Sequence, residues 1–554
     1  MALNAPKASD LFDGASPREA AERMEEFTGE LSKSLSRGSS TPGQAPAADP
    51  TAQLEALVSN KSLSADAAAS LQNALTIQRS SMQNINKEIT LTNPLDTSFA
   101  AFDLEAPSKL LTPRPTPLRN RIPRKKGVGT SHRVKRILGY TGTGTGGVGN
   151  TWPGITESTT TAFGSIDFQR GPQISYAADD LVLPYNSYSL SDAVSFDANF
   201  SGLGYQDLRQ LSSTSTLYAT MLMEERMMLM ARGTASGYSG ALAAPTIASA
   251  TGVAKTATET ALPNAQYIVF VTANAGISST GFGESIVSAQ AAETTTGTQV
   301  LQVTVANPVV GALGYNLYIR SGAQAVATYQ GTFQGLTARL VGGTSVTTAN
   351  TFVYSTNGAA VTRAAADTSA YATGYDGILP TVLGPNTGFN NAINGAFSTS
   401  NPGVEFQTVF ANLYENVKAD PDIVLLNGND RKQLSDAIKS GSNANYRLVI
   451  NQPGESGTTY GSIVTGLQNE VTGKAVDLMV HPWLPQGVAP VLSFTLPIPD
   501  TEVSDVWANF LVQDYMGIQW PVTQFQYEFS TYFRGTFFCT APAWNGAVSG
   551  IFSA

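Results

Sequence analysis

Residues 220–233 read TMLMEERMMLMARG, and five of the ten methionines fall there: Met221, Met223, Met227, Met228 and Met230. The run closes a helical pattern that begins near residue 204. In that pattern Leu208, Leu211, Leu217, Met221 and Met228 recur at helical spacing and mark the packing face. Glu224, Glu225 and Arg226 mark a polar side. From Met227 onward, however, apolar side chains surround the helix. A surface helix cannot leave such a belt in water, so both faces of its C-terminal end need cover. Methionine, long and flexible, fills uneven contacts of that kind. Gly233 is expected to end the helix. Any fold for this chain must place a layer on each side of this segment.

The second constraint is a stretch that cannot support itself. From Arg114 to Arg136 there are nine basic residues and no acid: Arg114, Arg119, Arg121, Arg124, Lys125, Lys126, Arg133, Lys135 and Arg136. The net charge of the whole chain is −9, so this patch opposes the rest. Pro113, Pro115, Pro117 and Pro123 forbid regular helix and interior strand. The stretch is therefore expected to be extended, irregular and held by another surface.

Composition narrows the functional classes. Charged residues are only 14%, against roughly 25% in an ordinary soluble domain. A neutral, Gly/Ser/Thr-rich surface suits repeated close contact. One cysteine, Cys539, excludes an intrachain disulfide framework. No run of apolar residues is long enough for a membrane span, and the N-terminus MALNAPKASDLFDG lacks the features of a conventional signal peptide. Two distant histidines, His132 and His481, cannot form a His-rich metal site, and no cofactor is expected. No GxSxG or HExxH motif occurs. The acid pair Asp179 and Asp180 would face opposite sides of a strand, and Asp420 with Asp422 has no catalytic context. TGTGTGGVGN, residues 141–150, lacks the GKS or GKT of a phosphate loop and reads as a hairpin tip. No enzyme is expected.

Along the chain, residues 1–90 read as a helical extension with a discontinuous apolar stripe. An arm follows over 91–129, then an extended loop over 130–185. Residues 240–368 change to short β-rich runs such as YIVFVTANA, TQVLQVTVANP and YNLYIRSG, the pattern of an inserted β-sandwich. From residue 369 the chain is α+β again. GVEFQTVFANLYENVKAD is a helix with Phe406, Val409, Phe410, Leu413 and Val417 on one side. IVLL is a short buried strand, and the closing QFQYEFSTYFRGTFFC is a strand rich in aromatic residues.

In this order the parts resemble the major capsid proteins of tailed bacteriophages, those with the HK97-like fold. TPLRNRIPRKKGVGT resembles the arm leading into the extended loop. YQDLRQLSSTSTLYATMLMEERMMLMARG resembles the spine helix, and ADPDIVLLNGNDRKQLSDAIKSG and KAVDLMVHPWLPQGVAPVLSF resemble the later strands and helix. The resemblance implies an α+β fold with peripheral and axial domains over 186–239 and 369–554. It implies a homo-oligomer of hexamers and pentamers in an icosahedral shell enclosing double-stranded DNA, assembled in the host cytoplasm, with a portal and scaffolding or decoration proteins as partners. The resemblance does not extend to the first 90 residues, which fit a cleaved scaffold-like segment and a retained arm equally well. The insert resembles an immunoglobulin-like or fibronectin type III-like domain, with the tyrosines of GYNLYIRSG alternating inward, and is expected on the outer surface. Another virion component such as a tail protein is the alternative, and an extracellular enzyme with a fibronectin-like module a more distant one. Lysine–asparagine cross-linking, known in this family, is not carried over to Lys135. The basic stretch has two candidate partners: packaged DNA, bound through its phosphates, and acids of adjacent subunits such as Glu224, Glu225, Asp420 and Asp422. Intersubunit contact is the favoured expectation.

Overall fold

The computed structural model describes Thr76 and residues 115–552, apart from 143–150, 153–154, 157–172, 203–204, 236–237, 279–280, 323, 345–348, 358–359, 361–366, 372–373, 441–463 and 497–502. The helical extension, Arg114 and most of the glycine-rich tip lie outside the described residues.

The basic stretch is less irregular than its prolines suggest. A helical turn α1 (Pro117–Arg121) starts on Pro117, where a missing N–H costs nothing. Strand β1 (Arg124–Lys126) follows. A long hairpin comes next: β2 (Ser131–Gly142), the two-residue strands β3 (Thr151–Trp152) and β4 (Ile155–Thr156), and β5 (Ile174–Pro184). β2 and β5 pair antiparallel with each other and, among the described residues, with no other strand. β6 (Asn186–Ser195) and α2 (Phe196–Ser201) lead into the long helix α3 (Leu208–Met230). Asp207 caps α3, accepting from the N–H groups of Arg209 and Gln210 at 3.0 and 3.2 Å.

Helix α3 corrects two expectations. Its buried stripe is not Leu208, Leu211, Leu217 and Met221. Leu211 is exposed, the other three are half-buried, and of the five residues only Met228 is buried. The buried stripe is Ser212, Thr216, Thr220 and Glu224, one per turn. Thr216 and Thr220 donate their hydroxyls to the carbonyls of Ser212 and Thr216, both at 2.8 Å. Satisfied within the helix, these short side chains can be buried without an outside partner, and they let β6 and the later strand at 526–539 pack close. Second, Gly233 is not a left-handed cap. The helix ends at Met230, and a Cβ on Gly233 would lie 2.2 Å from the carbonyl oxygen of Gly374. This glycine serves close approach of two chain segments.

Residues 247–353 supply β7 (Ile247–Ala254), β8 (Gln266–Ser278), β9 (Gly281–Glu284), β10 (Ala291–Thr294), β11 (Gln299–Val305), β12 (Gly314–Ser321), β13 (Thr328–Phe333), β14 (Thr337–Val341) and β15 (Thr351–Val353). They form two sheets, ordered β10-β8-β12-β13, with β9 beside β8, and β15-β14-β11-β7. Tyr267, Val269, Leu317 and Ile319 of one sheet share a core with Leu301, Val303 and Leu340 of the other. The tyrosines of β12 do not both point inward. Tyr315 joins this core, whereas Tyr318 donates to the buried carboxylate of Glu284 at 2.6 Å. Three residues apart on a strand, they occupy opposite faces.

The chain returns through α4 (Ile378–Leu383), β16 (Phe389–Gly395), α5 (Val404–Val417), β17 (Ile423–Leu426), α6 (Gly428–Ser440), β18 (Gly466–Gln468), β19 (Ala475–Val480), β20 (Val488–Leu492), β21 (Trp507–Gln519), β22 (Gln526–Cys539) and β23 (Gly546–Ile551). The result is an α+β fold. A six-stranded sheet, β16-β23-β20-β17-β19-β18, carries α5, and a four-stranded sheet, β1-β21-β22-β6, carries α3. Phe406, Val409, Phe410, Leu413 and Val417 are the buried stripe of α5, as the spacing predicts. Among the described residues no helix is long and apolar enough to cross a membrane.

The methionine run now has its cover. Met228, Leu229 and Met230 share one core with Leu118 of the arm and with Ile378, Leu379 and Val382 of α4. On the insert side Leu313 belongs to the same core. Met230 also reaches Gly276, where an added Cβ would lie 3.1 Å from its sulfur.

One buried acid sets a pH dependence. Asp430, in the first turn of α6, accepts from the Gly487 N–H at 2.9 Å, and its Oδ1 has no partner among the described residues. Burial pushes its pKa up to about 6, against the pull of that one hydrogen bond. Between pH ~4 and ~6 the folded state therefore holds the proton more tightly than the unfolded chain, so stability falls as pH rises through that window. Above it the penalty is constant, no more than about 3 kcal/mol. Replacing Asp430 with Asn should flatten this slope in urea unfolding measured from pH 4 to 7; an unchanged slope would assign it to other groups.

Candidate assembly interface

The arm is held by two adjacent acids of α3. Glu224 and Glu225 are fully buried, so the polar side expected from EER is instead a socket. Glu225 accepts the backbone N–H groups of Leu118 at 2.9 Å and Arg119 at 2.7 Å. Its Oε1 also lies 2.8 Å from Nε2 of the buried His481. The Trp483 N–H donates to Nδ1 of that ring at 3.3 Å, which places the proton on Nε2, facing the carboxylate.

Glu224 takes the arm's side chains. Arg124 Nη1 donates to Oε1 and Oε2 at 3.0 and 2.9 Å, and Arg119 Nε donates to Oε2 at 3.2 Å. Asn509 on β21 donates to Oε1 at 2.6 Å, and the Tyr515 hydroxyl donates to Oε2. Arg124 also pairs with Asp514 at 2.7 Å. Burial works against the Arg124 charge, but Glu224 outweighs it and holds the pKa above the ordinary arginine value. Burial and then the Glu224 charge push the Tyr515 hydroxyl up to about 12. Two buried carboxylates are tolerable only because every oxygen is matched.

The basic stretch is therefore mostly spent within its own chain. Lys125 pairs with Asp505 at 2.8 Å. Arg133 pairs with Asp180, and Arg136 with Asp179 at 2.5 Å, across the β2–β5 hairpin. Arg136 also donates to the carbonyl of Thr540 at 3.0 Å. The Arg121 guanidinium stacks 4.9 Å over the Phe494 ring. Lys126 and Lys135 have no ion-pair partner among the described residues. This corrects the expectation that Glu224 and Glu225 would meet a neighbour's arm, since both hold the arm of the same chain. Asp420 and Asp422 are also engaged: Asp422 accepts from Lys474 and from the Phe494 N–H, both at 2.7 Å, and Asp420 from Thr472 at 2.8 Å. Asn509, Tyr515 and His481 escaped the sequence reading. The lone histidine beside PW carried no periodic signal, and Asn509 and Tyr515 lie some 285 and 291 residues from the glutamate they serve.

Beyond this anchor lies the hairpin. Its root is fixed: Leu183 is buried, and His132 stacks on Phe510 with centroids 3.8 Å apart. Val182 beside the root and Ile137 and Tyr176 further out are 46%, 68% and 57% exposed.

No family model and no curated protein matches this chain. Solved structures similar to it include the capsid of Myoviridae phage XM1, at 8% identity and a TM-score of 0.37, over 82% of this chain and 98% of that one. The capsid of a native GTA particle matches at 9% identity and a TM-score of 0.36, over 84% and 100%. The SrpI encapsulin complex of Synechococcus elongatus matches at 8% and 0.36, over 82% and 93%. Each of these is a capsid or an encapsulin.

Proposed function

We propose that this chain is a major capsid protein with the HK97-like arrangement of arm, extended hairpin, spine helix and axial domain, and that its copies build a closed icosahedral shell around double-stranded DNA. The observation that carries this reading is the β2–β5 hairpin. Among the described residues, two strands of 12 and 11 residues pair only with each other and leave Ile137 and Val182 exposed. An isolated two-stranded ribbon is marginal in water, and its exposed apolar residues call for a second surface. The surface of another copy meets that need, and repeated in hexamers and pentamers it closes a shell. The role is structural, in the virion. The sandwich of residues 247–353 has its own core and stands on the outer face, away from packaged DNA. Among the described residues of the basic stretch, Arg121, Lys126 and Lys135 have no ion-pair partner and are the cations left for a neighbour or for DNA phosphates. Portal, scaffolding and decoration proteins are the further partners of such a shell.

The test is electron microscopy of the purified chain under assembling conditions, with a variant lacking the outer hairpin, residues 138–177. Wild type should yield hollow particles and the variant free subunits or small rings. A wild-type chain that stays a folded monomer of 58.2 kDa throughout would refute the reading.

A further inference from the structure

A cleft of about 360 Å³ opens between the insert and the six-stranded sheet. Residues 308–315 and the β13–β14 turn stand on one side, and the end of α4 with β16 and β23 on the other. The insert is fastened at two points beside it. Arg232, buried behind Gly311, donates to that residue's carbonyl at 2.8 Å. Gln334 donates its Nε2 to the Gln486 carbonyl at 3.2 Å, and a Cβ on the adjoining Gly487 would lie 2.7 Å from the Gln334 side chain. The cleft is thus framed by fixed contacts, and its size and its place at a junction are those of a ligand site.

The lining selects among ligands. Among the described residues, none of the chain's 33 basic and 42 acidic side chains lines the cleft, so a charged ligand would leave water without a counter-charge. Leu313, Leu383 and Val488, all buried, form an aliphatic floor. Gln334, Asn390 and Asn394 bring carboxamides to it. Ser549 donates to the Asn390 Oδ1 at 2.9 Å, whereas the Asn390 Nδ2 and the Asn394 amide make no hydrogen bond among the described residues. A carboxamide carries a donor and an acceptor side by side, as a peptide group does. The aromatic residue of the lining, Tyr315, is buried with its hydroxyl accepting the Val309 N–H at 2.8 Å, so no ring face is open to stack on a sugar.

The strand beside the cleft is an independent observation. β16, FNNAING, ends the six-stranded sheet, and β23 is its one strand partner among the described residues. Phe389 and Ile393 turn to the core under α5, where the Asn391 Nδ2 donates to the Glu405 carbonyl at 3.0 Å. The alternate residues Asn390, Ala392 and Asn394 are exposed and line the cleft. An edge strand offers unpaired N–H and C=O groups and is ordinarily guarded by lysine, proline or a bulge. β16 has neither charge nor proline, and its register is regular over Phe389–Ala392. We infer that the cleft and this edge together take an extended, uncharged polypeptide strand of a second virion protein, which pairs along β16 and sets alternate aliphatic side chains on the floor of the cleft. The inference rests on the shell reading, in which the insert stands on the outer face. A cleft at the base of the insert is then reached from outside, whereas copies of the chain meet sideways through their hairpins.

The experiment titrates the folded full chain against a fluorescent peptide that alternates valine and threonine, is blocked at both ends and matches β16 in length. Anisotropy should show saturable binding with a Kd below about 1 mM. Ala392→Arg sets a long cation in the cleft from an exposed position and should weaken binding at least about tenfold, whereas Ala392→Ser should not. Val310→Arg, on the insert side at 61% exposure, is the second variant should the first fail to fold, which circular dichroism with a thermal melt reports. Methylating alternate amide nitrogens of the peptide removes its ladder and should cost a similar factor. Absence of saturable binding to wild type, or equal binding to a folded arginine variant, overturns the inference. So does equal binding of the methylated peptide, or cellohexaose bound in its place. Loss of peptide binding whenever the chain assembles alone assigns the site to a second copy and overturns it too. Electron microscopy scores the shell separately. Particles without peptide binding refute this inference alone, and peptide binding without particles refutes the shell reading while leaving the strand site.

Discussion

Replacing Glu224 with alanine should destabilise the chain by about 3–5 kcal/mol, the cost of leaving a buried charge without its counter-ion. The residue sits fully buried beneath Arg119, Arg124, Asn509 and Tyr515. Without it Arg124 faces Asp514 alone, and the arm loses its side-chain tether while Glu225 still grips its backbone. Thermal unfolding should show the loss directly, and limited proteolysis should cut near residues 119–126 only in the variant. Exchanging Glu224 and Arg124 together for methionine should recover much of the stability, because paired removal leaves no uncompensated charge. Equal losses in the single and double variants would show that the pair does not hold the arm.

Excising residues 242–368 and joining the flanks should leave a folded, assembling chain that is less stable by about 2–4 kcal/mol. The two sheets of residues 247–353 share a core, yet their junction with the rest of the chain is not inert. Leu313 of the insert packs into the same core as Met230, and Arg232, itself buried, donates to the Gly311 carbonyl at 2.8 Å. Asp376 receives the N–H groups of Gly233 and Ser239 at 2.9 and 2.5 Å on the far side of the junction. Excision uncovers the last turn of α3 and removes one acceptor of Arg232. Adding Met230→Gln to the excised chain should restore solubility lost to the exposed methionine. Melting temperature and shell yield are the readouts; aggregation of both excised chains would make the insert part of the shell's core.

Local pattern was enough wherever a residue's fate depends on its own period. The stripe of α5, the all-buried strand Ile423–Leu426 and the β-strands of residues 247–353 are set by apolar spacing, because one face of each must leave water whatever lies opposite. The demand for cover on both sides of the methionine run was legible for the same reason. What covers it was not, since Leu118, Leu313 and Ile378 arrive from remote parts of the chain. Nor was the true buried face of α3. Ser212, Thr216 and Thr220 read as polar, and only the packed fold shows that short hydroxyls, bonded to their own helix at Thr216 and Thr220 and to Asp192 of β6 at Ser212, let a sheet come close. Glu224 and Glu225 are the sharpest case. By local rule an EER triplet belongs to solvent. Tertiary structure buries both acids because an arm more than a hundred residues earlier brings two backbone amides and two guanidinium groups to them, and a carboxylate can leave water when its partners are already in place.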